Sequence, residues 1–314
     1  MKWPFIKLIP KNTKFGFVRF SKPFAIISVV LCIASLALCF TRGLNLGIDF
    51  KGGTVVEAVW TQQIDQRGVE AALAPLGLRD VQVQDFEQPN QVMVRFLAPE
   101  GADASGTTDQ VKQALRGVMP GVEFPRVEVV GPAISAEFAV NSLIALAIAI
   151  GLVVIYIWTR FELQMGFGSI VALVHDVILT LGFMSLTQLE FSLTTIAAIL
   201  TIIGYSMNDT VVVFDRIREN MRKFKKMSFG EIIDLSTNET LSRTIITALT
   251  TLLALIGLTV VGGATMQVFT IVMIFGVVIG TYSSIYVAAP VIMLWPPKRG
   301  AEKEAEKSAV AARP

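Results

Sequence analysis

Six apolar stretches dominate the chain, running over Phe24–Phe40, Phe138–Trp158, Met165–Leu186, Phe191–Phe214, Ile245–Val261 and Val268–Trp295. A helix that crosses the hydrocarbon core needs about 20 such residues, and roughly 17 is the short end of the range. Composition agrees, with 53% of residues hydrophobic and only 17% charged, against roughly 25% charge in globular domains. The expected fold class is a polytopic α-helical membrane protein with six transmembrane helices. The first stretch follows a charged leader of 22 residues and has no A-x-A-like site after it, so it is expected to remain as a helix rather than be cleaved. Cys32 and Cys39 both lie inside it, where they read as packing residues and not as a disulfide framework.

Charge orients the spans. Residues 1–22 carry Lys2, Lys7, Lys11, Lys14, Arg19 and Lys22 with no acid, and the segment after the fourth span carries Arg216, Arg218, Arg222, Lys223, Lys225 and Lys226. Lys298 and Arg299 follow the sixth span. Lysine and arginine collect on the cytoplasmic side, and six spans with both termini cytoplasmic place all three basic segments there. The same rule accounts for the 216–226 cluster without nucleic acid, which is not expected as a partner.

This topology puts residues 42–136 outside, as a periplasmic domain with 8 basic and 12 acidic residues. Strand-like runs lie at Thr54–Trp60, Val81–Phe86, Gln91–Phe96 and Val122–Val130, with helical stretches at Ile64–Leu76 and Thr108–Val118 and a flexible loop at Gly101–Thr107. The order β-α-β-β-α-β predicts an α+β, ferredoxin-like domain between the first and second helices. The resulting organisation is a basic cytoplasmic N-terminus (1–22), the first helix (23–41), the periplasmic domain (42–136), helices two to six (137–295) and a cytoplasmic tail expected to be disordered (296–314).

Ionisable groups inside spans cost about 2.5–3.5 kcal/mol on insertion scales and are functional candidates. Helical spacing puts Thr195, Thr201, Tyr205 and Asp209 on one face of the fourth span. Ser169, Asp176, Thr180 and Thr187 share a face of the third, and Arg243, Thr247, Thr250 and Thr251 one of the fifth. Three polar seams suggest a hydrated path. Asp176 lies near the midplane, about 15 Å from Gly166 at 1.5 Å per residue, whereas Asp209 lies roughly 8 Å from Phe214. Asp209 and Arg243 therefore fall at similar depth. Other readings stay open: Arg243 as a snorkelling anchor, His175 and Asp176 as a structural hydrogen-bond pair, Asn208 and Asp209 as a polar pair that fixes helix register. One histidine and scattered carboxylates predict no metal site, and no Walker A motif is present. No cofactor is expected. Gly276 and Gly280 form a GxxxG step, a signal of close helix contact.

The residues then become familiar. GYSMNDTVVVFDRIREN at 204–220 resembles the fourth-span signature of the SecF family, and LNLGIDFKGGT at 44–54 resembles the G-x-D-F-x-G-G motif shared by SecD and SecF. LVHDVILTLG at 173–182 and LSRTIITALTTLLAL at 241–255 match as well. The resemblance covers the whole chain and implies membership of the resistance-nodulation-division superfamily. It implies a non-enzymatic subunit of the cytoplasmic (inner) membrane that pairs with SecD and joins the SecYEG channel, YajC and SecA. Such a subunit uses the proton-motive force to help draw translocating polypeptide across the membrane late in export. Asp209 and Arg243 then map onto the proton-coupling pair, with Asn208, Asp176 and His175 as weaker candidates. Gly47, Asp49, Phe50, Gly52 and Gly53 map onto the glycine motif, read either as a hinge or as a tight turn before the first strand. The alternative function is a proton-driven exporter of small molecules or lipids, although such exporters usually carry two large external domains in a longer chain.

Overall fold

The computed structural model describes residues 13–85, 89–99 and 101–297. Phe86, the lysines of the leader up to Lys11, and the basic tail from Lys298 onward lie outside the described residues. In chain order, helix α1 (Phe17–Thr41) is followed by a one-turn helix α2 (Ile48–Lys51), β1 (Gly53–Val59), α3 (Gln66–Leu73), β2 (Arg79–Asp85), β3 (Gln91–Leu97), α4 (Ala104–Val118) and β4 (Glu123–Val130). Then come α5 (Pro132–Arg160), α6 (Leu163–Thr187), α7 (Leu193–Lys223), α8 (Phe229–Val261) and α9 (Gly263–Ser283), a π-helical turn over Ser284–Ala288, and α10 (Ala289–Leu294). Six helical segments are long and apolar enough to cross a membrane, the last running from Met266 through the π-turn to Leu294. The chain divides into two compact units, one comprising Leu46–Ala145 with Glu190–Leu193, the other the remainder.

The smaller unit is the α+β domain. Its four strands are ordered β2-β3-β1-β4 and all neighbours are antiparallel, the split βαβ arrangement that the alternation of elements predicts. Register places Val56 opposite Val94 and Thr54 opposite Phe96. Strand side chains alternate between faces, so Val56, Ala58, Val92, Val94 and Phe96 meet Val69 and Leu73 of α3 and Val111 and Leu115 of α4 in one core. The loop expected at Gly101–Thr107 is shorter than that, because Asp103 accepts from the Gly106 N–H at 2.8 Å and starts α4 at Ala104. An aspartate N-cap satisfies a donor that the first turn would otherwise leave open. The opposite face of β1 is also buried, at Val55 and Glu57, which the simple two-layer pattern does not provide for.

The larger unit is the helix bundle. Within it α1 packs on α6, α6 on α9, and α8 on α9. The glycine step works as a steric device: a Cβ on Gly276 would lie 2.2 Å from the Ile202 side chain, and one on Gly280 would lie 2.9 Å from Ser206 Cβ. Hydrogen at these positions lets α9 and α7 approach closely, as small residues do in membrane interfaces. At 31 and 33 residues, α7 and α8 rise about 1.5 Å per residue and overrun the roughly 30 Å apolar core. Helix α8 begins sixteen residues before its apolar run because Ser228 and Glu231 form a reciprocal capping box. Its first turns then hold polar partners: Glu239 accepts from Arg216 Nε and from Asn220 Nδ2, both at 2.7 Å. They also anchor α1, since Asp234 Oδ1 accepts from the Val18 N–H at 2.8 Å and Asn238 pairs with the Phe15 backbone.

Candidate functional site

Most hydroxyls of the three polar seams bond within their own helices. Ser169, Thr201, Thr250 and Thr251 donate to carbonyls one turn back in their own helices, and Thr180 does the same to the Asp176 carbonyl at 2.7 Å. This is the usual resting place of a helical serine or threonine. The hydroxyls that matter lie elsewhere and converge on two carboxylates.

Asp176, in the middle of α6, is 1% exposed. Its Oδ2 accepts from Ser206 Oγ of α7 at 2.5 Å and Ser283 Oγ of α9 at 2.7 Å, while Oδ1 lies 2.9 Å from His175 Nδ1. His175 is buried too, and its Nε2 is without a hydrogen-bond partner. Asp209, on α7, is partly buried. Thr244 Oγ1 of α8 donates to its Oδ1 and Ser284 Oγ to its Oδ2, each at 2.5 Å. Ser206 and Asp209 are one turn apart on α7, and Ser283 and Ser284 are consecutive. The two carboxylates therefore occupy adjacent stations along one seam formed by α6, α7, α8 and the sixth span, and the π-turn begins at the second serine. Such turns inside α-helices are frequent at functional positions.

The sequence candidates divide accordingly. Asp176 and His175 are a hydrogen-bonded pair. Asp209 is held by Thr244, while Arg243, one residue earlier, is exposed. Its guanidinium is near enough to act on Asp209 through space, but no ion pair joins them among the described residues. Asn208 is exposed, a 100° step round the helix from Asp209. Ser206, Thr244, Ser283 and Ser284 escape a reading based on charge, because hydroxyls are common in spans. The run Thr281–Ser284 within an otherwise apolar helix is the one local signal for the last two.

The glycine motif lies in the smaller unit. The Gly47 N–H donates to the Phe191 carbonyl at 2.9 Å, Asp49 Oδ2 accepts from the Leu193 N–H at 2.8 Å, and the Phe50 and Phe191 rings are 5.5 Å apart. Gly52 and Gly53 have φ of +73° and +119°, and a Cβ on Gly53 would sit 2.8 Å from the Phe96 carbonyl oxygen. Only glycine suits such a turn. Arg95, on the face of the sheet away from α3 and α4, donates to the Leu46 carbonyl at 2.7 Å and pairs with Glu190 at 3.7 Å. Residues 46–53 and 190–193 thus meet on the second buried face of the sheet. Burial pushes the Glu190 carboxyl above the usual carboxylate range, against the pull of Arg95 and then of Arg126. Among the described residues, no three His, Cys, Asp or Glu side chains are grouped to hold a metal ion.

Comparison with known proteins places these features in context. The family model described as "Protein export membrane protein SecD/SecF, C-terminal" matches residues 110–298, and that described as "SecD/SecF GG Motif" matches residues 37–58. The chain is 44% identical over 312 residues to the protein translocase subunit SecF of Cereibacter sphaeroides, covering 96% of each. It is 41% identical over 303 residues to the protein translocase subunit SecF of Rickettsia rickettsii, covering 96% of this chain and 98% of the relative. It is also similar to the crystal structure of SecDF, a translocon-associated membrane protein from Thermus thermophilus, with a TM-score of 0.84 at 31% identity. That match covers 92% of this chain and 39% of SecDF, so the chain spans about two fifths of the SecDF length. A structure of SecDF in a super-membrane-facing form matches at a TM-score of 0.67 and 31% identity, covering 95% of this chain and 40% of that one.

Proposed function

Since the chain belongs to the SecD/SecF family of protein export membrane proteins, we propose that it is the SecF-type subunit of the Sec translocation machinery and couples proton binding at Asp209 to polypeptide export. Its partner is SecD, which supplies the other part of a SecDF-like unit. We place that unit in the cytoplasmic membrane with both termini of this chain cytoplasmic and the α+β domain periplasmic. It works beside the SecYEG channel, YajC and SecA, and performs no catalysis of its own. The named relatives are translocase subunits, which leaves the reading as an exporter of small molecules or lipids without support.

One observation carries the coupling: Asp209 is held inside a span by two hydroxyls rather than by an ion pair. A hydroxyl donates to a carboxylate and accepts from a carboxylic acid, so Thr244 and Ser284 satisfy both charge states. A buried ion pair would fix the charged one. Arg243, near Asp209 and with no ion pair to it among the described residues, biases the choice as it approaches or withdraws. His175 and Asp176 form a lesser candidate of the same kind, and Asn208, pointing away, contributes least. Each proton crossing the membrane potential releases about 2.3 kcal/mol per 100 mV. Since about 1.4 kcal/mol is a tenfold change in an equilibrium, one proton is enough to bias a two-state helix packing more than tenfold.

The test is export of a secreted precursor into inverted membrane vesicles that contain SecD and the channel, with or without this chain. Export driven by ATP alone is expected to be similar in both, and the additional export on imposing a proton gradient is expected only where the chain is present. Equal gradient stimulation without the chain would overturn the assignment.

A further inference from the structure

We propose that Asp176, with His175, is a second proton-binding site, and that Ser283 and Ser284 couple its charge state to that of Asp209. The proposal rests on the reading of Asp209 as a proton-binding group and gives the lesser candidate pair of that reading a defined role and a link to Asp209.

Hydrogen-bond counting at Asp176 carries the argument. As a carboxylate it accepts from Ser206 Oγ, Ser283 Oγ and His175 Nδ1, and every donor is satisfied. Once protonated, an oxygen of Asp176 itself donates, to His175 Nδ1 in its acceptor tautomer or to a hydroxyl, and a hydroxyl that receives this proton has to turn its own away. Ser283 has somewhere to turn: the Gly280 carbonyl lies 3.1 Å from its Oγ. That carbonyl is already the acceptor for the backbone N–H of Ser284. A serine hydroxyl that bonds back onto its own helix competes with the ladder and bends it. The helix is already disposed to yield there, because the π-turn starts at Ser284. Ser284 is the residue that holds Asp209, and its own hydroxyl has the Thr281 carbonyl as an alternative acceptor at 3.0 Å. Protonation of Asp176 therefore loosens, through one shared carbonyl, the residue that grips Asp209. By linkage the reverse holds with equal strength.

His175 supplies the reason for a proton at Asp176 at all. With Nδ1 on Asp176, its Nε2 is buried without a partner, and a buried unsatisfied polar atom in a native site calls for a role. His175 also lines a largely apolar groove of about 430 Å³ between α1, α6 and the end of the sixth span, together with Cys32, Val174, Ile178 and Tyr286. The imidazole thus meets the carboxyl through Nδ1 and keeps a second, unpartnered nitrogen at Nε2, so the pair can hold a proton on the ring or on the carboxyl. The groups facing Asp176 are His175 on its own helix, Cys32 on α1, Ser206 on α7 and Ser283 on α9. Those facing Asp209 are Tyr205 on its own helix, Arg243 and Thr244 on α8, and Ser284 in the π-turn.

The experiment is pH-difference infrared spectroscopy of the full chain with its SecD partner in lipid bilayers. The carboxyl bands are assigned with Asp176→Asn and Asp209→Asn. Two titrating bands are expected. Asp176→Asn should remove one and move the midpoint of the Asp209 band by about one pH unit or more, the mark of interacting sites. Ser283→Ala keeps both carboxyls and should move the Asp209 midpoint as well, by breaking the link; it carries the test alone if Asp176→Asn fails to assemble. An Asp209 midpoint that stays at the wild-type value in both variants, or in Ser283→Ala alone where Asp176→Asn does not assemble, overturns the coupling and leaves the function of Asp209 standing. Absence of a band lost in Asp176→Asn overturns the second site. Absence of any band assigned to Asp209 overturns the earlier reading and this one with it.

Discussion

At the scale of single residues, what decides the site is the company a carboxyl keeps. Asp176 and Asp209 stand out in the sequence because charge is costly in a span. Their partners do not, since Ser206, Thr244, Ser283 and Ser284 look like any other small polar residues until packing brings them together. In the fifth span the sequence marks Arg243, and the structure adds its neighbour Thr244, which hydrogen-bonds Asp209; a one-residue step is 100° round a helix. Glu190 shows the opposite case, a loop residue with no distinguishing sequence context that becomes buried against Gly47 and Arg95. Burial raises its pKa, so it binds its proton more tightly in the folded state than in the unfolded one. Its contribution to stability is then full below the ordinary glutamate value of about 4.3 and is lost as pH rises through the raised one. Glu190→Gln should flatten the stability of the α+β domain across that window, measured by hydrogen exchange of β1 and β3 amides at stepped pH. An unchanged pH slope would show that the titration belongs to another group.

At the scale of elements, the fold of the α+β domain was legible because each strand and helix announces itself by period. Four β-branched runs and two amphipathic helices in that order leave one favoured sheet topology, and the structure has it. The second buried face was not legible, because it is made by residues 190–193, distant in sequence. The glycine motif is a packed turn whose backbone angles exclude side chains. Gly53→Ala should destabilise the domain by about 1–3 kcal/mol, the usual cost of forcing a residue into such a conformation, seen as a loss of amide protection in β1. Protection equal to wild type would mean that the turn relaxes freely. Helix α8 was under-read for a different reason: hydropathy finds Ile245 onward, while the capping box at Ser228 sets where the helix begins. Its polar first half holds the start of α1, so Asp234→Ala should cost about 1 kcal/mol as the loss of a cap. Earlier exchange of the Val18 amide relative to the rest of α1 would report it, and unchanged exchange would count against the contact.

At the scale of the whole molecule, the chain is built of two units, a helix bundle and an α+β domain, and the proposed function gives proton binding to the first. Charge asymmetry alone sets the orientation, so labelling tests it. A cysteine introduced at Gln84 should react with an impermeant thiol reagent from outside intact cells and one at Lys225 should not; reaction of both from one side contradicts the topology. The bundle was legible as six spans, and the pairing of α7 with α9 was foreshadowed by Gly276 and Gly280, yet the seam that carries the carboxylates exists only once four helices meet. The central claim is that the charge on Asp209 drives gradient-dependent export. Asp209→Asn retains the shape, and its amide can accept from one of the Thr244 and Ser284 hydroxyls and donate to the other, but it cannot ionise. The decisive measurement is gradient-stimulated export in vesicles carrying this variant, with recovery of the SecD complex determined on the same membranes. Normal complex recovery, normal export on ATP alone and loss of the gradient-dependent part are expected; a fully assembled variant that still responds to the gradient as wild type does would rule out the Asp209 charge as the coupling group.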